Sequence, residues 1–344
     1  MEIKTKSTIN DVARVAGVSK RTVSRVINGS PSVGQITRER INSVIKELNF
    51  KPDKQARGLA NKKSYLLGLI YDNPDALYID QVQRGCLSIC TQLGYELVVH
   101  PCQWQKEDFV NDCLNFISRS NVDGVLILPP VSESKILASA LRERHYPYVR
   151  IASADLDDHA NIVISNEREA MEDIAEHLVS LGHSDIAMIS GPSQFCSSRE
   201  RLEGFSDSLK KRNITIPENR IIEGKNSYES GMEVANKLLT GTTIPTAIFA
   251  NNDEMAAGVI RVASDLGIKI PEQLSLAGFD DNIFASRIIP SLTTLRRPVE
   301  EISIVATRKL IQAINPQNTP LEQTTVIKPY LITRESTASC ITKS

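Results

Sequence analysis

From Ser64 to about residue 314 the chain alternates between two hydrophobic periods. Short apolar runs such as Gly124–Leu128 (GVLIL) and Thr246–Ala250 (TAIFA) have the unbroken character of strands buried on both faces. Between such runs, apolar residues return at the three- and four-residue spacing of a helix face. The pattern predicts strands at 66–71, 95–99, 123–128, 147–151, 161–165, 186–190, 220–223, 246–250, 274–278 and 292–295. It predicts helices at 78–93, 106–118, 132–144, 167–181, 198–212, 228–240, 253–266 and 299–314. Strand–helix alternation implies an α/β fold with helices on both sheet faces. There are more strands than one sheet usually holds, so two lobes are expected, with any ligand beyond the carboxyl ends of the strands.

Residues 8–50 follow a different rule and read as three short helices. Thr8 can cap the first, Ile9–Ala16, with Asp11 completing a capping-box-like pair. Gly17 supplies a tight turn, and Ser19 can cap a second helix, Lys20–Asn28. Thr37 is the expected cap of a third, on which Ile41, Val44, Ile45 and Leu48 fall at i, i+3, i+4, i+7. Val12, Val15, Val18, Val23, Val26 and Ile27 can close a small core against that stripe. On the second helix Arg21, Arg25 and Asn28 form a separate polar stripe, with Lys20 beside Arg21. These are the features of a helix-turn-helix, whose second helix reads base edges near its N-terminus. An arginine fork matches the two acceptors that guanine presents in the major groove.

Charge sharpens this division. The net charge of the 344 residues is −1, but residues 1–63 hold fourteen Lys and Arg against five acids, a local +9. The remainder holds 26 basic against 36 acidic residues, a local −10. A basic segment on an acidic body points to nucleic acid as a partner of the first. Residues 51–63, KPDKQARGLANKK, form a basic connector with room for one or two helical turns over Asp53–Ala60. Gly58 lowers its helicity by about 1 kcal/mol relative to Ala, and so short a helix frays alone in water. The expected organisation is a head at 1–50, the connector at 51–63, a body at 64–335 and a tail at 336–344. Within the body, lobe one covers about 64–163 and 294–320, and lobe two about 164–292 and 321–335.

Several function classes lack their signatures. The six cysteines, Cys86, Cys90, Cys102, Cys113, Cys196 and Cys340, make no C-x-x-C pair and read as reduced thiols of a cytoplasmic protein, with no metal site. The polar N-terminus has no signal-peptide core, which argues against a transport-type binding protein, and no apolar stretch could span a bilayer. No nucleophile–base set, G-x-S-x-G, phosphate-binding loop or zinc spacing suggests an enzyme, and no cofactor is expected. The five histidines are scattered, and His183, in the Leu181-Gly182-His183 turn, is expected to act as a local cap.

The segment Thr8–Asn28, TINDVARVAGVSKRTVSRVIN, closely resembles the signature of the LacI/GalR repressors, with Asp11–Ala13, Ala16–Ser19 and Thr22–Asn28 in register. That resemblance implies base reading by Lys20, Arg21 and Arg25. It implies backbone contacts from Thr8, Ser19, Thr22, Ser24, Asn28 and Thr37. The connector resembles the family's hinge helix in the minor groove, with Ala56, Leu59 and Ala60 in place and Leu59 as the base-step wedge. The resemblance continues through Gly182–Pro192, Ser197–Phe205, Pro245–Gly258, Ser275–Asp281 and Pro290–Pro298. It implies a small all-α helix-turn-helix head plus an α/β body of two doubly wound parallel-sheet lobes, periplasmic-binding-protein-like, with crossovers near 162–166, 290–296 and 318–325.

The implied function is a sequence-specific transcription repressor on double-stranded palindromic operator DNA, controlled by a small-molecule effector between the lobes. Ser197, Arg201, Asn252 and Asp280 map onto effector-binding positions; without a ligand, Arg201 would pair with Asp280 or Asp253. Ala152 stands where some sugar-responsive members carry an acid, Asn226 stands where many carry an aromatic, and Asp75 and Ala76 replace the usual aromatics after Pro74. Tyr78, Phe195, Phe279 and Phe284 are the candidate platforms for a sugar ring. A sugar or sugar derivative is the expected effector, with a nucleobase, phosphosugar or glycoside as alternatives. A homodimer is expected through helices 78–93 and 253–266, since no leucine-heptad tail follows Ile332 to bundle four chains.

Overall fold

The computed structural model describes residues 7–27, 32–50, 63–73, 75–317 and 322–340. These divide into two compact units, at residues 1–65 and 66–344.

Among the described residues, the first unit holds three helices. In α1 (Ile9–Ala16) the Thr8 hydroxyl accepts from the Asp11 amide, and the Asp11 carboxylate accepts from the Thr8 amide at 3.0 Å and from its hydroxyl at 2.7 Å. These bonds hold the Asp11 carboxyl down at about 2. Gly17 ends the helix at φ +62, a conformation that favours glycine. In α2 (Lys20–Ile27) the Ser19 hydroxyl accepts from the Thr22 amide at 3.1 Å. The third helix, α3 (Gln35–Glu47), begins earlier than the sequence suggested. Its cap position is Gly34, which has no side chain to offer, and Thr37 is already inside the first turn. The Arg38 amide reaches the Gly34 carbonyl, so the helical ladder is closed before Thr37 could cap it. Val12, Val23 and Ile41 are fully buried at the centre of this unit, ringed by Ala16, Val26, Val33, Val44 and Phe50. Val15, a candidate for that core, is 48% exposed instead, because it falls beside the buried stripe of Val12, Ala13 and Ala16, about 100° round α1 from Ala16.

The second unit is built on two six-stranded sheets. The first sheet runs β11–β5–β4–β3–β1–β2, with β1 Leu66–Tyr71, β2 Glu96–Pro101, β3 Gly124–Ile127, β4 Tyr148–Ala152, β5 Ile162–Ser165 and β11 Val326–Ile327, all parallel. The second runs β12–β10–β9–β8–β6–β7, with β6 Ile186–Ser190, β7 Ile221–Glu223, β8 Ala247–Ala250, β9 Ser275–Asp280, β10 Thr293–Arg296 and β12 Tyr330–Ile332. Only β12 is antiparallel there. Leaving out β11 and β12, both sheets have the same doubly wound order, whose strand ends open on a ligand crevice.

Helices α4 (Ala76–Leu93), α5 (Phe109–Ser120) and α6 (Lys135–Glu143) connect the strands of the first lobe. Helices α7 (Glu167–Ser180), α8 (Cys196–Lys210), α9 (Tyr228–Leu239) and α10 (Asp253–Asp265) serve the second, and α11 (Val299–Ile314) returns to pack on α4, β3 and β4. Among the described residues, no helix is long and apolar enough to cross a membrane.

The described residues pass between the lobes three times: between β5 and α7, between β10 and α11, and between β11 and β12. The second and third passages come later than sequence placed them, because Thr293–Arg296 still pairs with β9, and Val326–Ile327 pairs with β5 in the first sheet. Part of the expected tail is likewise built into the second lobe. The Ser336 carbonyl accepts from the Leu276 amide at 2.8 Å, the Ser336 hydroxyl accepts from the Thr293 amide, and the Cys340 amide donates to the Leu181 carbonyl. Strand edges left open would cost unpaired backbone groups, and residues 336–340 supply the partners.

His183 works over a longer range than a local cap. Its ring nitrogens lie 3.0 Å from the Thr246 hydroxyl, 2.9 Å from the Ser275 hydroxyl and 3.0 Å from the Ala338 carbonyl, tying three segments together. His177 reaches the Thr337 hydroxyl at 2.9 Å. Burial lowers the pKa of both rings below the ordinary 6.5. A lowered pKa means that folding favours the neutral ring. Its stabilisation is therefore full above about pH 6.5 and is lost as pH falls below that value. The thermal midpoint is expected to drop between about pH 7.5 and about pH 5.5, and less steeply in His183→Gln than in the wild type. An unchanged slope in the variant would assign the pH dependence elsewhere.

Candidate DNA-reading face and effector cleft

On α2, Val23 and Val26 are buried, while Lys20, Arg21 and Arg25 stand exposed on the outer side. Thr8 and Ser19 are exposed at the starts of α1 and α2, Thr22 and Ser24 are half-buried on α2, and Thr37 is half-buried within α3. The Ser19 and Thr22 hydroxyls are 2.9 Å apart at the amino end of α2, where helix amides favour an anion. Asn28, Ala56, Leu59 and Ala60 lie outside the described residues.

In the body, the carboxyl ends of the strands of both lobes converge on a buried charge cluster. Arg201, on α8, is 4% exposed. Its Nε donates to Glu167 at 2.7 Å, another of its nitrogens donates to the Asn251 carbonyl, and its guanidinium lies 3.6 Å from the centroid of the Phe279 ring. Glu167, the fully buried first residue of α7, also accepts from the Ser153 hydroxyl of lobe one at 3.0 Å. Asp280 closes β9 with φ +107, followed by Asp281 at φ +55. Two successive left-handed non-glycine residues store backbone strain, and such strain gathers at ligand sites. The turn is held by Asp253, the first residue of α10, whose buried carboxylate accepts from the Asn282 amide and the Thr294 hydroxyl, both at 2.7 Å. Burial raises the Asp253 carboxyl well above its usual range, and the charge of Asp280 adds to that.

Arg201 and Asp280 are therefore brought together, at 3.9 Å, but neither is the other's main partner. The partner of Arg201 is Glu167, and that of Asp280 is Arg297, at 2.7 Å. Neither Glu167 nor Arg297 was singled out from sequence; the only signal was a charged residue immediately beyond a strand's carboxyl end. Asn252 is nearby, but its side chain caps α10 through the Met255 amide and donates to the Asn226 carbonyl. Ser197 is half-buried in the first turn of α8, next to the fully enclosed Ser198. A Cβ on Gly191 would come within 2.4 Å of the Ser198 hydroxyl and the Asn251 amide nitrogen, so only glycine lets these polar groups close in.

The expected aromatic platforms are differently employed. Phe279 is covered by Arg201, and Tyr78 is buried with Arg297 4.8 Å from its ring centroid. Phe195 instead faces Trp104 of lobe one, centroids 6.2 Å apart, and Phe284 is half-buried. Beside Phe195, both Glu133 oxygens accept from the Cys196 amide at 3.1 Å, a carboxylate of lobe one set on the amino end of α8. These contacts draw the lobes together. The cleft interior between Tyr78, Ala152, Ser165 and Glu167 retains only about 10 Å³, roughly one water. A more open cavity of about 400 Å³ adjoins it, walled by Gln81, Asp280, Arg297, Glu301 and Tyr330. Among the described residues, no group of three His, Cys, Asp or Glu is placed to hold a metal ion.

Comparison with known proteins covers both units. Residues 8–53 match the family of bacterial regulatory proteins of the lacI type, and residues 175–337 match the periplasmic binding protein-like domain. Catabolite control protein A of Priestia megaterium is 33% identical over 312 residues, spanning 90% of this chain and 93% of that protein. The lac repressor dimer bound to operator and the anti-inducer ONPF superposes with a TM-score of 0.75 at 29% identity, covering 97% of this chain and all of that one. A complex of the transcriptional regulator CelR with cellobiose gives a TM-score of 0.71 at 26% identity, covering 96% of this chain and all of that one. A helix-turn-helix head and a two-lobed body, matched along nearly the whole length of these relatives, place the chain in the LacI family of DNA-binding transcription regulators, not among enzymes.

Proposed function

We propose that the protein is a cytoplasmic repressor that binds a palindromic operator as a homodimer and is controlled by a sugar or sugar derivative held between the lobes. The observation that carries the reading is α2, whose apolar side is buried in the head while Lys20, Arg21 and Arg25 project outward. Arg21 and Arg25 read bases, with Lys20 beside them. Thr8, Ser19, Thr22, Ser24, Asn28 and Thr37 hold the phosphates that set the register. Ala56, Leu59 and Ala60 enter the minor groove, with Leu59 as the wedge. Two-fold symmetry doubles the small contact of one head, as in the lac repressor dimer on its operator. The cellobiose bound by CelR supports a carbohydrate effector, and Ser197, Arg201, Asn252 and Asp280 are its contacts in this chain.

Arg21→Ala is expected to weaken binding to a palindromic operator by about 1–3 kcal/mol and to relax the preference at one symmetric pair of positions. Affinity for random DNA falls far less. Gel-shift titrations against both DNAs measure this, and an equal loss on the two would make Arg21 a phosphate contact only. Sedimentation showing a monomer with and without operator would remove the dimer.

A further inference from the structure

The middle of the cleft is filled by a side chain of the protein itself. Arg297 lies in the second passage between the lobes, between β10 and Pro298 at the start of α11. Its guanidinium is 4.8 Å from the centroid of the Tyr78 ring, on α4 of lobe one. It is 2.7 Å from Asp280, at the end of β9 in lobe two, and 3.7 Å from Glu167 at the start of α7. An aromatic face on one side and convergent carboxylates on the other are what a small polar ligand needs in order to join two lobes. Arg297 meets these groups from within the chain. Two of them, Tyr78 and Asp280, are residues the sequence marks for an effector.

The arrangement is balanced as it stands. Arg201 and Arg297 are matched by Glu167 and Asp280, so the clustered charges sum to zero. The interior then keeps only about 10 Å³, far too little for a ligand the size of a sugar. Effector entry therefore requires Arg297 to withdraw. Arg297 also lines the adjoining cavity of about 400 Å³, which has room for its long, unbranched side chain. Its fit in the cleft is imperfect, because Arg297 Nε, Ser198 Oγ and Asn251 Oδ1 are buried without a hydrogen bond. Each such group costs about 1–3 kcal/mol, so a ligand that satisfies them can displace the arginine.

We propose that Arg297 is an autoinhibitory occupant of the effector cleft. Its guanidinium bridges Tyr78 and Asp280, holds the lobes closed in place of a ligand, and must be displaced before the effector binds. The apparent affinity for effector is then the intrinsic affinity reduced by the fraction of molecules with Arg297 withdrawn. This rests on the cleft being the effector site.

The test removes the side chain and returns its head group as a free molecule. Trp104, the single tryptophan, faces Phe195 across the mouth of the cleft, so quenching of its fluorescence by acrylamide reports opening. In the full-length protein, Arg297→Ala is expected to raise that quenching at least about twofold. Ethylguanidinium chloride carries the same fork and is expected to restore wild-type quenching at about 1–20 mM. That range is open to a ligand of so few atoms and lies far below denaturing concentrations. Ethylammonium chloride has the charge without the fork and should restore nothing, and neither salt should alter the wild type. The proposal is overturned if Trp104 is as accessible in the wild type as in Arg297→Ala. It is also overturned if ethylguanidinium fails to restore the variant, or if ethylammonium restores it equally well. Should Arg297→Ala fold poorly, Asp280→Asn keeps the side chain's shape while releasing the guanidinium. It is expected to raise the quenching in the same way, and unchanged quenching there overturns the proposal too. If quenching and rescue follow as expected but Asp280→Ala keeps a full effector response, the closure stands and the cleft is not the effector site.

Discussion

Ile41→Ala is expected to abolish operator binding at physiological temperature while the body keeps its thermal midpoint and its effector affinity. Ile41 is fully buried where α3 meets α1 and α2. Truncating a buried isoleucine costs about 2–5 kcal/mol through lost transfer energy and the cavity left behind. A core this small rarely supplies more than about 3–5 kcal/mol in total, so the loss consumes the head's stability. The rest of the chain forms a separate compact unit with its own core, so it does not share the loss. Val15→Ala, at a position 48% exposed in the same head, is the control and should shift stability by no more than about 0.5 kcal/mol. Gel shift and calorimetry on the same samples test this. Wild-type operator affinity in Ile41→Ala would show that this packing does not maintain the reading face.

The second large effect is expected in the body. Arg201→Leu should lower its stability by about 3–5 kcal/mol, because Glu167 is left as a fully buried carboxylate without its closest cation. The same substitution removes an effector contact. Pairing it with Glu167→Leu should restore much of the stability, since a buried ion pair often contributes little beyond an apolar pair of similar volume. Denaturant unfolding of the two single variants and the double variant gives the coupling. If the double variant is as unstable as the sum of the singles, the two side chains are not energetically linked.

These two cases also separate what could be read along the chain from what could not. The head was legible almost whole, because its information is local. A cap, a glycine turn, a second cap and two helix stripes lie within twenty-one consecutive residues, Thr8–Asn28. The missed details there follow from choices the backbone makes in context. The third helix starts at Gln35 without a side-chain cap, and Val15 faces outward although it is as apolar as Val12. The body's major strands and helices were also legible, since each is long enough to show its period. Strands β11 and β12, of two and three residues, show none and exist through pairing with β5 and β10.

The cleft divides in the same way. Sequence pointed to Arg201 and Asp280 by resemblance and left Asp280 or Asp253 as the partner of Arg201. The fold chose Glu167, 34 positions away in sequence, and gave Asp280 to Arg297. It also committed the Asn252 side chain to a helix cap and covered Phe279 with Arg201. The sequence by itself determined the helix-turn-helix, the alternation that makes two doubly wound lobes and the basic head on an acidic body, because each is written in neighbouring residues or in their period. Only the tertiary structure decided which charges face one another, how residues 336–340 are tied into the second lobe and where the chain crosses between lobes. Those outcomes depend on burial and on hydrogen-bond partners from distant segments, and no local pattern specifies either.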